Sequence, residues 1–202
     1  VEHFQHSVLK TSRKLLKKLN SKKFRRLRSP ILLLITGILL IVFGGYNYYK
    51  IRTLSFTKAP PTATLQGSTL KGALPVQITI PSIKIDEPVD TGMIKDGVWQ
   101  ISYNHPTFLD SSARPGEGGN VVIYGHNKKV IFGNLPYLSL GQKILIKTAD
   151  GKIHTYEVYK KEFVKPDRVD LVSPTDHEEL TIYTCWGLFD SQRVVVKAKP
   201  VL

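Results

Sequence analysis

Nineteen consecutive residues, Ile31 to Tyr49, carry no charge. As a helix they extend about 28 Å, close to the hydrocarbon thickness of a bilayer. A buried core helix rarely lacks any charged face, and this stretch has no charge at all. Tyr46, Tyr48 and Tyr49 stand where an aromatic belt would lie. The run therefore predicts a transmembrane helix over 31–49 and divides the chain into a short N-terminal part and a long C-terminal one. A cleavable signal peptide is the rival reading. It fits less well, because thirty residues precede the run and no clean small-x-small cleavage site follows it.

Charge agrees with a single span. Residues 1–30 hold ten Lys/Arg and one acid, leaving nineteen bases against fifteen acids in the remainder. The tail thus carries +9 of the net charge of +13, and the much longer remainder only +4. Beside an apolar run, a basic tail indicates an anionic membrane surface rather than nucleic acid. The positive-inside rule puts residues 1–30 in the cytoplasm and everything beyond the span outside, a single-pass plasma-membrane arrangement. The tail reads equally well as a basic amphipathic helix or as a disordered arm. Residues 50–75, with Ala59-Pro60-Pro61-Thr62-Ala63-Thr64 near their centre, have the Pro, Thr, Ala, Gly and Ser content of an extended linker.

The folded domain is expected over 76–202, long enough for a core without disulfides, and the one cysteine excludes an internal bridge. Short alternating runs predict an all-β domain. They are Val76–Ile80, Ile83–Ile85, Val98–Ile101, Asn120–Tyr124, Lys143–Lys147, Ile153–Tyr159, Thr181–Cys185 and Arg193–Ala198. Asp96-Gly97 and Ala149-Asp150-Gly151 are hairpin signals. Seven or eight such strands suit a closed barrel or a sandwich.

The lone thiol, Cys185, ends the strand Leu180–Cys185. Alternation puts Thr181, Tyr183 and Cys185 on one face and Leu180, Ile182 and Thr184 on the other. A buried cysteine is commonly a small core residue. A thiol at a strand end on a rigid sheet also suits a nucleophile, which then needs an acid/base partner and an oxyanion donor. Four histidines lie in the domain: His105, His126, His154 and His177. Position favours His126, which caps the apolar run Val121–Tyr124 after Gly125 as Cys185 caps its own. His154 reads as solvent-facing and His177 as part of an acidic loop. Arg193 opens the strand that returns beside the cysteine strand, where a hairpin would bring it near Cys185. A guanidinium there could serve a carbonyl oxygen acquiring charge, and a surface arginine is the alternative. Thr184 reads as locally hydrogen-bonded in preference to substrate-binding. Trp186 could wall a groove or pack in a barrel rim.

These elements in this order resemble the sortases, membrane-anchored cysteine transpeptidases of the bacterial cell envelope. The family signature Thr-Leu-x-Thr-Cys is met by Thr181-Ile182-Tyr183-Thr184-Cys185, with Ile in place of Leu. Asn120–Asn127 resembles the family's histidine segment, and Ile80–Val89 its first strands. The resemblance implies an eight-stranded β-barrel, with Cys185 as nucleophile, His126 as general acid/base and Arg193 as donor to the substrate carbonyl. It also implies cleavage of a Leu-Pro-x-Thr-Gly-like sorting motif in secreted proteins and transfer of the thioacyl group to an envelope amine. No cofactor is implied. Some relatives bind calcium near the loop before the cysteine strand, but Asp110, Glu117, Asp167, Asp170 and Glu178 form no spaced ligand motif here. Two other readings stand beside this one: a hydrolase on the same fold, and a catalytically inactive membrane-tethered binding module. Within the family, the lack of an acidic-aromatic lid motif in the linker and of a second span favours an anchoring enzyme over a pilus-building one.

Overall fold

A computed structural model describes residues 22–51, 72–95 and 98–201. The expected basic tail up to residue 21, the linker over 52–71 and the Asp96-Gly97 turn lie outside the described residues. Two compact units are present, one within Val1–Lys50 and one within Ile51–Leu202.

The first unit contains α1, Lys22–Ile51. It contains the whole uncharged run and begins nine residues before it, inside the basic segment. Its apolar side chains are exposed all round, from Ile31 at 50% to Ile41 at 75%. The Thr36 hydroxyl donates to the Leu32 carbonyl at 2.7 Å, which satisfies it within the helix. Among the described residues no helix is long and apolar enough to cross a membrane.

The second unit is all-β. Its strands are β1 Pro75–Ile80, β2 Ile85–Pro88, β3 Asp90–Gly92, β4 Ile94–Lys95, β5 Val98–Trp99, β6 Thr107–Leu109, β7 Asn120–Gly125, β8 Lys143–Thr148, β9 Ile153–Val164, β10 Glu179–Trp186 and β11 Gln192–Pro200. Nine form one sheet in the order β2-β1-β8-β9-β11-β10-β7-β6-β3, and β4 and β5 form a separate hairpin. The nine reduce to the expected eight. β2 pairs with β1 and β3 pairs with β6, and the two are one segment interrupted only at Val89. The Val89 amide donates to Val76 on one side, and the next amide, Asp90, donates to Pro106 on the other. One strand thus changes partners at Val89 and joins the two edges of the sheet, so a barrel closes and leaves no long unpaired edge.

Alternation sorts the side chains into two cores. Ile78, Ile80, Phe108, Val121, Ile123, Ile144, Ile146, Leu180, Ile182, Val194 and Val196 fill the barrel. The opposite faces of β7, β10 and β11 carry a second cluster: Val122, Tyr124, Tyr183, Cys185 and Val195. It is covered by Trp99 of β5, Leu109 of β6, Val164 of β9, and Leu171 and Val172 of a 3-10 turn, Val169–Val172. The two hairpin signals hold. Ile94 pairs with Trp99 across residues 96–97, and Lys147 pairs with Ile153 around Gly151, whose φ of +84° suits glycine.

Candidate active site

Strand register brings the chain segments that carry Cys185, His126 and Arg193 to one end of the sheet. β10 and β11 are antiparallel, and Cys185 lies directly opposite Arg193. Directly opposed residues project to the same face, so this pair shares the outer face of the sheet. β10 and β7 are parallel, with Tyr183 beside Tyr124 and Thr184 beside Gly125. The ladder ends there, one residue before Cys185 and His126, so both stand at the carboxyl end of the paired stretch of two adjacent strands. Cys185, His126 and Arg193 therefore occupy three neighbouring chain segments at one end of the barrel.

Local structure fixes each of them. Gly125 has no room for a side chain: a Cβ there would lie 2.7 Å from Ile131 Cγ2 and 2.9 Å from Phe132 Cδ2. The residues after β7 can thus fold back over its end. The His126 carbonyl accepts the amides of Lys128 at 2.8 Å and Phe132 at 3.3 Å, which locks the turn carrying the imidazole. Arg193 is 1% exposed, not a surface arginine. Its Nη1 donates to the carbonyls of Asp190 and Gln192, each at 2.9 Å. The Asp190 carbonyl is aimed by an unusual turn, in which Phe189 and Asp190 are left-handed at φ +54° and +58° after Gly187 at +82°. Two successive left-handed non-glycine residues store strain, which is common where geometry serves a site.

Cys185 is only 4% exposed. Burial pushes its thiol up to about 11, the nearby Arg193 charge pulls it down, and Asp190 adds to the rise. Arginine therefore acts in the expected direction but loses to desolvation, and the resting chain holds a thiol.

The other candidates separate from the site. The Thr184 hydroxyl donates to the Gly125 carbonyl at 2.8 Å, tying β10 to β7 from the face opposite the thiol. Trp186 is half-buried, its ring 6.2 Å from that of Phe163. His154 is half-buried rather than solvent-facing, close against Gly116. His177 is exposed, 2.7 Å from Asp176. His105 lies 3.7 Å from Glu87. Among the described residues no group of three or more His, Cys, Asp or Glu side chains could hold a metal ion. Glu178 accepts the Gly116 amide and the Tyr156 hydroxyl, and Asp170 pairs with Arg168.

Several residues around the site were not singled out from the sequence. Tyr124 and Tyr183 stack at 5.5 Å, and Trp99 meets both edge-on at 5.3 and 6.1 Å. These three rings fill the outer face directly below the Cys185–His126 row. Buried Asn120 ties three elements together. Its amide donates to the carbonyls of Leu171 and Ser173, and its oxygen accepts the Thr181 hydroxyl at 2.7 Å. A polar residue opening an otherwise apolar strand was a signal available in the sequence, but its partners depend on parallel pairing and were not.

Residues 78–201 match the family model of the Sortase domain. Over 124 residues the chain is 28% identical to sortase A of Bacillus anthracis, covering 59% of this chain and 56% of that protein. It thus spans little more than half the length of that relative. It is 32% identical over 87 residues to YwpE of Bacillus subtilis, named a putative sortase, covering 41% of this chain and 84% of that one. Among solved structures, a sortase D5 transpeptidase of Clostridium perfringens is 28% identical with a TM-score of 0.55, covering 69% of this chain and 85% of that one. A lid mutant of sortase A from Corynebacterium diphtheriae is 24% identical with a TM-score of 0.55, covering 78% and 93%; at that identity the likeness speaks for the fold alone.

Proposed function

The chain belongs to the sortase family, and from that premise we propose that it is a cysteine transpeptidase in which Cys185, His126 and Arg193 perform the chemistry. The observation that carries the reading is the register of three strands. It pairs Cys185 with Arg193 and ends at the Thr184–Gly125 pair, one residue before Cys185 and His126. In this reading the Cys185 thiolate attacks a backbone carbonyl carbon of a sorting motif, and a C–S bond forms. The oxygen takes up the negative charge beside the Arg193 guanidinium, whose donors never deprotonate. As the tetrahedral centre collapses, the C–N bond breaks and the His126 imidazolium passes its proton to the leaving amine. A thioester remains on Cys185. An incoming amine attacks it, His126 accepts that amine's proton, and the thiolate leaves.

The raised thiol fits an enzyme that stays protected until substrate binds. With its ionisation near 11, about one thiol in ten thousand is ionised at pH 7. When a peptide brings its carbonyl to this site, the thiol proton passes to the His126 imidazole, which gives the thiolate that attacks and the imidazolium that later protonates the leaving amine.

The substrates of this reading are secreted proteins bearing a Leu-Pro-x-Thr-Gly-like sorting signal, and the acceptor is an amine of the cell envelope. The membrane is the third partner. A helix exposing Ile31 to Phe43 on every side is poorly suited to water. With ten bases in residues 1–30, it supports a single-pass anchor with the N-terminus cytoplasmic and the barrel outside. No cofactor enters the scheme. Hydrolysis is the competing outcome of the same thioester, decided by which nucleophile arrives.

The test is to incubate the full chain with a peptide library built on Leu-Pro-x-Thr-Gly, with and without an added amine, and to follow Cys185 by mass spectrometry. An acyl adduct on Cys185 that the amine converts to a ligated peptide is expected, and Cys185→Ala should form none. Release of free acid alone, whatever amine is present, would make the chain a hydrolase. An unmodified cysteine with every peptide would favour the inactive binding module.

A further inference from the structure

Beside His126 lies an exposed aromatic ring for which the barrel has no use. Tyr103 is 72% exposed, on the connection between β5 and β6. A tyrosine kept for core packing is buried, and one left to solvent samples many rotamers. This ring does neither. Its centroid is 6.1 Å from that of His126, with the planes at 65°, an edge-on arrangement. The Lys128 ammonium sits 3.1 Å above the ring centroid and also donates to the Tyr103 carbonyl at 2.7 Å. The Lys128 amide in turn donates to the His126 carbonyl. Tyr103, Lys128 and His126 thus form a closed circuit of contacts in which the residue two places beyond the histidine grips the ring beside it.

The loop presenting Tyr103 is itself held. The Tyr124 hydroxyl donates to the Gln100 carbonyl on its entry side. The Ser102 amide donates to the Thr107 hydroxyl at 2.9 Å, while the Ser102 hydroxyl accepts the amides of Asn104 and His105. The Pro106 carbonyl accepts the Asp90 amide. Tyr103 therefore stands at the apex of a small loop anchored on β7, β6 and β3.

We propose that Tyr103 is a positioning residue for His126 and that Lys128 clamps it in that role. The need follows from the local structure. His126 is one residue past the end of β7, so its backbone is set by the turn, but the ladder does not restrain its side-chain torsions. General acid/base catalysis demands an imidazole within hydrogen-bond reach of the leaving amine, and a displacement of about 1 Å can cost about a hundredfold. A ring fixed beside the imidazole narrows its range. The cation on that ring adds an attraction specific to an aromatic side chain and not to a merely apolar one.

The inference rests on the transpeptidase reading, and the experiment separates the two. Steady-state transfer to an added amine is measured in the full chain, with the best peptide of the Leu-Pro-x-Thr-Gly library, for Tyr103→Ala, Tyr103→Phe, Lys128→Met and Lys128→Arg. Tyr103→Ala should lower kcat roughly tenfold with KM held within about twofold, and its Tm should fall by less than about 2 °C because the ring is exposed. Tyr103→Phe should keep the wild-type rate, Lys128→Met should lose about threefold, and Lys128→Arg should recover it. In 1H–13C spectra the His126 ring protons should change shift in Tyr103→Ala, as the ring-current contribution of Tyr103 is lost, and keep their shift in Tyr103→Phe. Wild-type kcat in Tyr103→Ala overturns the proposal, as does an equal loss in Tyr103→Phe, which would assign the effect to the hydroxyl. A wild-type chain that acquires no adduct counts against the transpeptidase reading. The His126 ring shifts still test the positioning contact in that case, and no change in Tyr103→Ala overturns it.

Discussion

At the scale of single residues, the thiol is governed by two charges and a solvent boundary. Burial raises Cys185, Arg193 opposes the rise, and Asp190 adds to it. Both charged groups belong to the strained turn and strand that follow the nucleophile, so the turn shapes thiol reactivity as well as chain direction. The rate of Cys185 alkylation by iodoacetamide should therefore climb with pH to a midpoint near 11. Asp190→Asn removes a repulsion and should move the midpoint down, with little backbone cost because asparagine tolerates a left-handed conformation. Arg193→Gln should move it up. A midpoint near the ordinary 8.5 in the native chain would refute the desolvation account. The same shift has a stability consequence. A group that holds its proton more tightly when folded contributes fully below its ordinary value, and that contribution is lost as pH rises between about 9 and 11.

At the scale of elements, the outer core is assembled from pieces distant in sequence. The β4–β5 hairpin delivers Trp99, and the 3-10 turn over 169–172 delivers Leu171 and Val172. Two-residue strands are marginal alone, so the hairpin depends on Trp99 lying 4% exposed against Tyr124 and Tyr183. The 3-10 turn depends on Asn120, which holds its carbonyls from the start of β7. Asn120→Ala would leave the Leu171 and Ser173 carbonyls without this amide. The expected cost is about 2 kcal/mol in chemical denaturation. Faster hydrogen exchange should be confined to residues around 169–173 and the start of β10. A uniform change across the barrel would show that Asn120 supports the fold as a whole and not this attachment.

At the scale of the molecule, the barrel closes because one strand serves two partners. The change at Val89 lets residues 85–92 pair with β1 and then β6, and a closed sheet holds the carboxyl ends of β7 and β10 side by side. Closure therefore supplies the rigid rim on which the candidate site stands. The helix unit bears on location. If the anchor reading is right, the full chain should remain with membranes through alkaline carbonate extraction. A chain starting at residue 52 should be released, and protease added outside intact cells should reach the barrel but not the tail. Carbonate release of the full chain would refute the anchor, since a surface-bound basic helix washes off and an inserted one does not.

Much of this architecture is legible in residue type alone. Alternation marks β1, β8 and β9, which present apolar groups every second residue, while apolar and β-branched runs mark β7, β10 and β11, which are buried on both faces. Asp96-Gly97 and Ala149-Asp150-Gly151 mark hairpins because glycine tolerates positive φ. Arg193 beside Cys185 follows from a hairpin, a local event. The neighbourhood of His126 is different in kind. Gly125 and Thr184 are 59 residues apart, and their parallel pairing depends on closure of the whole sheet, which no short stretch encodes. Burial of the thiol, the aromatic cover of Trp99, Tyr124 and Tyr183, and the grip of Lys128 on Tyr103 likewise join residues distant in sequence. Residue type and spacing are enough to single out the candidate residues and the strands that carry them. The tertiary structure alone decided how far the thiol is withdrawn from water and what stands against the imidazole, because desolvation and contact belong to the packed chain and not to any segment of it.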